Sequence, residues 1–164
     1  MKYVYSYNIF ELNMLDGDYT QKLKYDTIYE DDNWKIIVPH NPFSSKEICG
    51  TDNNWCTNFS PGWDSWVKGQ GFVLYRFIPK RNKKNMFKLT WSGHNNNSKY
   101  SWSFGYDKSP KHISTRNDNP FNIIEKSDDE IESKLIWYIR QIPKEAIDNI
   151  FRYQNHIKND RMEK

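Results

Sequence analysis

Cationic and aromatic residues alternate through the middle of the chain, in a pattern that suits ligand binding. From Ser65 to Tyr106 the sequence holds eight Lys or Arg residues, ten aromatic residues, and no Asp or Glu. Cations bind phosphates and flat rings stack on nucleobases, so this composition favours an anionic partner that carries rings. The composition is also typical of an aromatic-rich β-sheet core with lysines on its wet face, and both interpretations stay open.

The predicted ligand contacts come from two polar segments. Residues 79–85 read PKRNKKN, which is typical of a solvated loop tip. Residues 49–57 form a polar loop between predicted strands, and loops carry binding sites more often than strands do. Trp55 or Trp63 is the predicted stacking surface, because both lie in predicted loops. The predicted ligand-binding residues are Trp55, Thr57, Trp63, Arg76, Lys80, Arg81, Lys83, Lys84 and Lys88.

Cys56 is the candidate nucleophile of the sequence. A reactive thiolate needs a lowered pKa, which a neighbouring His or a helix N-terminus usually provides. The chain offers His40, His94, His112 and His156 for this role. A Cys between Trp and Thr is more often a small buried hydrophobe, so catalysis is the less favoured interpretation. The sequence has no Cys/His quartet and no phosphate-binding glycine motif, and we expect neither a metal nor a cofactor.

The elements that must position these residues predict an α+β fold. The length fits a single domain over residues 1–164. We expect an antiparallel sheet with two C-terminal helices packed on one face. Residues 1–30 are predicted to be irregular or weakly helical, residues 34–123 to be rich in sheet, and residues 127–158 to be helical.

Three stretches predict the strands of this sheet. The sequence WKIIV from Trp34 to Val38 is a strand that Pro39 ends. Residues 72–78 and 85–91 form a hairpin around the polar tip. Residues 100–106 alternate aromatic and small side chains, so their aromatic face is predicted to be part of the hydrophobic layer.

Two amphipathic helices follow the sheet. The sequence SDDE from Ser127 to Glu130 resembles a capping box that begins the first helix. Pro143 ends that helix and begins the second. Apolar residues that recur at steps of three and four mark the predicted buried sides, and they are Ile131, Leu135, Tyr138 or Ile139, Ile142, Ile147, Ile150, Phe151 and Ile157.

The loop around Trp55 carries a resemblance to a known family. Its members are uncharacterised proteins, found mainly in tailed-bacteriophage genomes, with a G-x-x-T-x-W-C-T string. This chain has Gly50, Asn53 in place of the Thr, and Trp55-Cys56-Thr57. The similarity spans about residues 30–123 and includes a strand start at Gly71 with Leu74 and Tyr75. The resemblance implies a phage accessory protein of the host cytoplasm and supplies no established activity.

Three function classes follow from these observations. The favoured one is a phage accessory protein that binds nucleic acid or a nucleotide and counters host defence or modulates host processes. One alternative is a protein–protein inhibitor of a host enzyme, since interaction hot spots favour Trp, Tyr and Arg. The other is a cysteine-dependent enzyme acting on a nucleotide or a modified protein. The chain shows neither a signal-peptide pattern nor an apolar run of about 18 residues, so we expect a cytoplasmic protein without a membrane partner.

Overall fold

The computed structural model describes residues 7–13, 20–49, 60–92, 99–104, 112–114, 119–123 and 128–162. The strands in these ranges are β1 (Tyr7–Asn13), β2 (Thr20–Glu30), β3 (Trp34–Pro39), β4 (Phe72–Pro79), β5 (Phe87–Ser92), β6 (Lys99–Phe104) and β7 (His112–Ser114). The helices are α1 (Pro42–Cys49), α2 (Ser60–Trp63), α3 (Glu130–Arg140) and α4 (Lys144–Met162). A π-helical turn (Asp64–Gly69) follows α2 directly.

The seven strands form one antiparallel sheet in which each strand pairs with its neighbours in the sequence. The predicted hairpin is confirmed, because β4 and β5 pair from Phe72 with Ser92 to Phe77 with Phe87. The predicted strands around Trp34 and Tyr100 are present as β3 and β6. Since consecutive strands are adjacent, the β2–β3 turn and the tip of the β4–β5 hairpin lie at the same end of the sheet.

The prediction of irregular or weakly helical structure for residues 1–30 is wrong where the structure describes them. β1 and β2 are strands that pair along seven residues. β2 also pairs with β3, and a β-bulge between Thr27 and Tyr29 interrupts its two-residue alternation. Tyr25 and Ile28 of β2 are buried, while Lys24 and Glu30 remain exposed. The hydrophobic signal of β2 is therefore weak, and strand pairing decides its structure.

The helices α3 and α4 pack on one face of the sheet, as predicted. The buried apolar side chains of these helices and of the turn between them are Leu135, Ile136, Ile139, Ile142, Ala146, Ile150 and Tyr153. Most of them join an aromatic layer in which Phe77 and Phe87 stack with 5.0 Å between ring centroids. Tyr100 and Trp102 of β6 belong to the same layer, which confirms the buried aromatic face of that strand at these two residues. Each fully buried large apolar side chain contributes about 1.5–3 kcal/mol, so this layer supplies most of the driving force for folding.

The residue that caps α3 is Asp129, and the capping box predicted from Ser127 is wrong. The Oδ1 atom of Asp129 accepts hydrogen bonds from the backbone N–H groups of Ile131 at 2.9 Å and Glu132 at 3.1 Å. A carboxylate serves both N–H groups and also favours the positive end of the helix dipole. The helix therefore begins two residues later than a Ser127 cap would place it.

The helix α1 covers part of the opposite face of the sheet. The Oδ1 atom of Asn41 accepts a hydrogen bond from the Ser44 N–H at 2.7 Å and so caps α1. Beneath this helix lies a second apolar cluster that consists of Tyr25, Ile37, Ile78 and Met86, with Ile48 of α1 packed against it. The two faces of the sheet are thus covered by different parts of the chain.

Candidate ligand-binding site

The hairpin tip, residues 80–85 between β4 and β5, presents cations to solvent. Arg81, Lys83 and Lys84 are exposed, and no carboxylate of the described residues lies within ion-pair distance of them. Lys80 differs, because its Nζ atom forms an ion pair with Glu30 Oε1 at 3.0 Å. Of the four tip cations predicted to contact phosphates, three are therefore available and one supports the turn.

The hairpin tip is fixed to its neighbours at both ends. The backbone N–H of Lys80 donates to the carbonyl oxygen of Asn33 at 2.9 Å, which joins the tip to the β2–β3 turn. The Nδ2 atom of Asn85 donates to the Tyr138 hydroxyl at 2.7 Å, which joins it to α3. Pro79 and Asn85 are buried, so the expectation of a fully solvated turn is wrong at its two ends. The exposed cations are consequently held on an anchored turn.

Asp31 holds the β2–β3 turn. Its Oδ1 atom accepts from the N–H groups of Asn33 and Trp34, each at 2.7 Å, and its Oδ2 atom accepts from the Tyr29 hydroxyl at 2.8 Å. Burial raises the pKa of Asp31, but these hydrogen bonds and the charge of Lys80 lower it by more, so its net pKa lies below the ordinary value of 3.8. The carboxylate is therefore ionised at neutral pH, and the turn keeps its shape.

The hairpin tip, the β2–β3 turn and α3 enclose a cleft of about 420 Å³ that we call the tip cleft. It is within the size range of pockets for small ligands. Its lining includes Asn33, Arg81, Asn82, Trp137, Tyr138 and Gln141. With Trp34 also in its lining, the tip cleft combines a guanidinium group, three aromatic side chains and three side-chain amides.

Trp137 is the feature of the tip cleft that sequence reasoning missed. Its side chain is 58% exposed, which is unusual for so large an apolar residue. Its ring contacts Tyr138 edge-to-face with 5.0 Å between centroids. Trp137 lies off the apolar stripe that Leu135 and Ile139 define on α3. A Trp on the polar side of an amphipathic helix is the signal that identifies it from the sequence.

The charges around the tip cleft are distributed unevenly. Arg81 places a positive charge on the hairpin side. On the other side α3 ends at Arg140, and the last carbonyl groups of a helix carry partial negative charge. An anion is therefore favoured at the tip, whereas an uncharged ring is favoured beside Trp137 and Gln141. A cation next to a flat aromatic surface is the arrangement that binds a phosphate together with a base.

Arg76 and Lys88 lie away from the tip cleft. They are paired on β4 and β5 but are 0% and 8% exposed. The Nη2 atom of Arg76 donates to the Ser45 Oγ atom of α1 at 2.6 Å, on the face of the sheet opposite α3 and α4. The prediction that these two residues extend the phosphate-binding tip is therefore wrong. Strand alternation, together with coverage by α1, directs them into the interior.

Trp63 is also unsuited to the role predicted for it. It lies at the end of α2 and is only 3% exposed, so its ring offers no surface to a ligand. The burial of so large an apolar side chain contributes to stability. Trp55, Cys56 and Thr57 lie outside the described residues, and their predicted roles stay predictions.

A second polar group lies on the side of the sheet that α3 and α4 cover, and we call it the Asp26 cluster (Asp26, His40 and Tyr153). Asp26 is 5% exposed. Its Oδ2 atom accepts from the Tyr153 hydroxyl at 2.7 Å and lies 2.9 Å from His40 Nε2. The cluster joins β2, the residue after β3, and α4. His40, which the sequence offered as a partner for Cys56, contacts a buried carboxylate here.

The described ranges hold no group of three or more His, Cys, Asp and Glu side chains that is able to bind a metal ion. They also contain no helix with the length and apolar character needed to cross a bilayer. Comparison of the chain with protein families, curated proteins and solved structures gave no match. The resemblance to phage proteins therefore stays a prediction, and the function is argued from the geometry of the tip cleft.

Proposed function

We propose that this protein binds nucleic acid or a nucleotide at the tip cleft and that it acts there as a binding protein, not as an enzyme. The observation that carries the proposal is that Arg81 and the exposed ring of Trp137 line the same cleft from two different elements. Cations that follow a phosphate backbone and aromatic rings that stack on bases are the two components of single-strand and nucleotide binding. An exposed Trp beside an Arg is consistent with such a ligand.

Each residue of the tip cleft has a chemical role in this proposal. Arg81 offers a planar fork of N–H donors that matches phosphate oxygens. Lys83 and Lys84 supply point charges to phosphates farther along the ligand. Trp137 stacks on a ring, and the amide of Gln141 offers a donor and an acceptor to its edge.

Binding is favoured over catalysis by the composition of the tip cleft. Within the described part of the chain, the residues that line it carry no carboxylate, imidazole or thiol, the groups that most often act as general base or nucleophile. The hydroxyl of Tyr138 already accepts a hydrogen bond from Asn85 Nδ2 at 2.7 Å. The anchors at Asp31, Lys80 and Asn85 fix the cleft before a ligand arrives, which lowers the entropic cost of binding. In the phage setting that the sequence predicts, this binding would counter host defence or modulate host processes.

Charge reversal at the hairpin tip tests the proposal. The tip variant carries Arg81→Glu, Lys83→Glu and Lys84→Glu. The control variant carries Lys24→Glu, Lys68→Glu and Lys158→Glu, which change the net charge equally at exposed positions outside the cleft. Binding of a fluorescent oligonucleotide is measured by anisotropy between 50 and 200 mM salt, about the range over which phosphate contacts are strongly screened.

We expect the tip variant to lose binding and the control variant to keep it. In the wild type, three phosphate contacts give a slope of about −2 in log K against log salt, since a single strand contributes roughly −0.7 per neutralised phosphate. A tip variant that binds like the wild type overturns the proposal. A slope near zero does the same.

A further inference from the structure

We infer that the ligand is a single-stranded nucleic acid and that one of its unpaired bases stacks on Trp137 in the tip cleft. This inference rests on the proposed function and specifies the ligand class for the same site. Three observations support it: the exposed ring of Trp137, the positions of the cations relative to the cleft, and the acidic residues beside it.

The exposed ring of Trp137 selects an unpaired base. A base within a duplex has both faces covered by its neighbours and its pairing edge occupied, so an indole ring reaches it only after it is unstacked. In a single strand the bases are free to stack on aromatic side chains. The tip cleft measures about 420 Å³ and lies toward the small end of the range for ligand pockets, which suits one nucleotide.

The placement of the cations favours a strand over a mononucleotide. Arg81 lines the tip cleft, whereas Lys83 and Lys84 are exposed on the hairpin tip outside its lining. A single nucleotide in the cleft uses the charge of Arg81 alone. A strand that continues past the cleft places further phosphates beside the two lysines, and each added phosphate contact raises affinity through counterion release.

The acids around the tip cleft give the strand a direction. Lys80 is neutralised by Glu30, and the exposed Asp32 lies in the β2–β3 turn, so this border repels phosphates. The exposed Lys83 and Lys84, farther along the hairpin tip, attract them. We therefore expect the backbone to leave the cleft along the hairpin tip, away from the β2–β3 turn.

The side-chain amides of the tip cleft predict weak base selectivity. Asn33, Asn82 and Gln141 each offer both a donor and an acceptor, and an amide can turn to suit either. Stacking on Trp137 tolerates every base, because each base has a π-face. Binding should consequently depend on the presence of a base more than on its identity.

The test compares four ligands and three variants at one salt concentration. The ligands are a single-stranded oligonucleotide, the same strand with abasic sites, its duplex, and a mononucleotide. The variants are Trp137→Ala, Trp137→Phe and the control Trp66→Ala, which removes a partly exposed Trp from the π-helical turn. Thermal melting establishes that the variants are folded, which we expect because both side chains are exposed.

We expect Trp137→Ala to weaken single-strand binding by about 5- to 150-fold, the range that base–aromatic stacking spans. Trp137→Phe should retain part of the affinity, and Trp66→Ala should retain all of it. Abasic sites should weaken binding to the wild type as Trp137→Ala does and add little to that variant. The duplex and the mononucleotide should bind more weakly than the single strand.

The outcomes separate this inference from the proposed function. If Trp137→Ala binds like the wild type while the tip variant does not, the inference that an unpaired base stacks on Trp137 is wrong, and the proposal of anion binding stands. Equal affinity for the duplex overturns the inference in the same way, and equal affinity for the mononucleotide replaces the strand by a free nucleotide. If neither Trp137→Ala nor the tip variant changes binding, both proposals fail.

Discussion

The Asp26 cluster and the tip cleft use charge in opposite ways. Asp26 is buried, and the hydroxyl of Tyr153 and the imidazole of His40 contact the same carboxylate oxygen. Arg81, Lys83 and Lys84 are exposed and have no carboxylate beside them in the described part of the chain. A buried charge is tolerated only with partners, whereas an exposed one remains solvated and free to meet a ligand. The first group is therefore expected to stabilise the fold and the second to bind.

The two regions also differ in what their hydrogen bonds connect. Those of the Asp26 cluster join β2 to α4 across 127 residues of sequence and meet at one buried carboxyl group. Those of the tip cleft hold its walls in place, through Asp31 in the β2–β3 turn and through Asn85 and Tyr138. At the cleft these hydrogen bonds fix the turns, whereas the cations of the hairpin tip are exposed to solvent. Stability and binding should thus respond to different substitutions.

The largest effect on stability should come from Asp26→Ala. The substitution removes the carboxylate oxygen that the Tyr153 hydroxyl and the His40 imidazole both contact, and removing the partner of a buried polar group costs about 1–3 kcal/mol for each group affected. Urea unfolding measures the loss. Asp26→Asn keeps one accepting oxygen and should cost less. A loss below about 1 kcal/mol for Asp26→Ala would place this cluster among the weakly contributing surface pairs.

Asp26→Ala should leave ligand binding unchanged if the two regions are independent. Asp26 lies four residues along β2 from Glu30, which is roughly 13 Å at 3.3 Å per residue. Binding is measured at a temperature where the variant remains folded, with the wild type as reference. A tenfold loss of affinity would show that the Asp26 cluster and the tip cleft are coupled.

Asp31→Ala should affect both properties to an intermediate extent. It removes the acceptor of the Asn33 and Trp34 N–H groups, and hydrogen bonds to charged groups contribute about 1.5–3 kcal/mol. The same turn supplies Asn33 to the tip cleft, so affinity should fall as well. Unfolding and anisotropy measurements on one preparation compare the two effects. A stability loss without any change in affinity would remove the β2–β3 turn from the site.

The stability contribution of Asp31 has a defined pH dependence. Its folded-state pKa lies below the ordinary value of 3.8, so the folded protein favours the ionised form. The contribution is fully present above that ordinary value and is lost as the pH falls through the lower folded-state pKa. The difference in unfolding free energy between the wild type and Asp31→Asn should therefore shrink in that acidic window. A constant difference across it would contradict this assignment.

The sequence predicted the parts of the fold in which local pattern and tertiary environment agree. The β4–β5 hairpin and the two C-terminal helices carry strong hydrophobic periodicity, and each was predicted within a few residues. β2 was missed because a bulge breaks its alternation and because partners in β1 and β3 supply its hydrogen bonds. Pairing between distant segments leaves little trace in a local pattern.

The sequence predicted the cations of the candidate site but not its exposed aromatic ring, Trp137. The polar sequence around Arg81 identifies an exposed turn, because burying its charged side chains without partners would cost free energy. The same reasoning was wrong for Arg76 and Lys88, whose burial depends on α1 lying across the sheet. Trp63 was expected at the surface and is buried, while Trp137 is exposed in a helix. Which side of an element meets solvent is decided by packing that one sequence does not display.

The smallest effect on stability should come from the tip variant, Arg81→Glu with Lys83→Glu and Lys84→Glu. The three side chains are exposed and have no carboxylate partner among the described residues, so each substitution should change the free energy of unfolding by no more than about 0.5 kcal/mol. The turn itself keeps its anchors, because Asn85 still donates to Tyr138 and Lys80 still pairs with Glu30. Urea unfolding of the tip variant should nearly overlay that of the wild type. A loss comparable to that of Asp26→Ala would mean that the tip cations support the fold, and the contrast between the two regions would then fail.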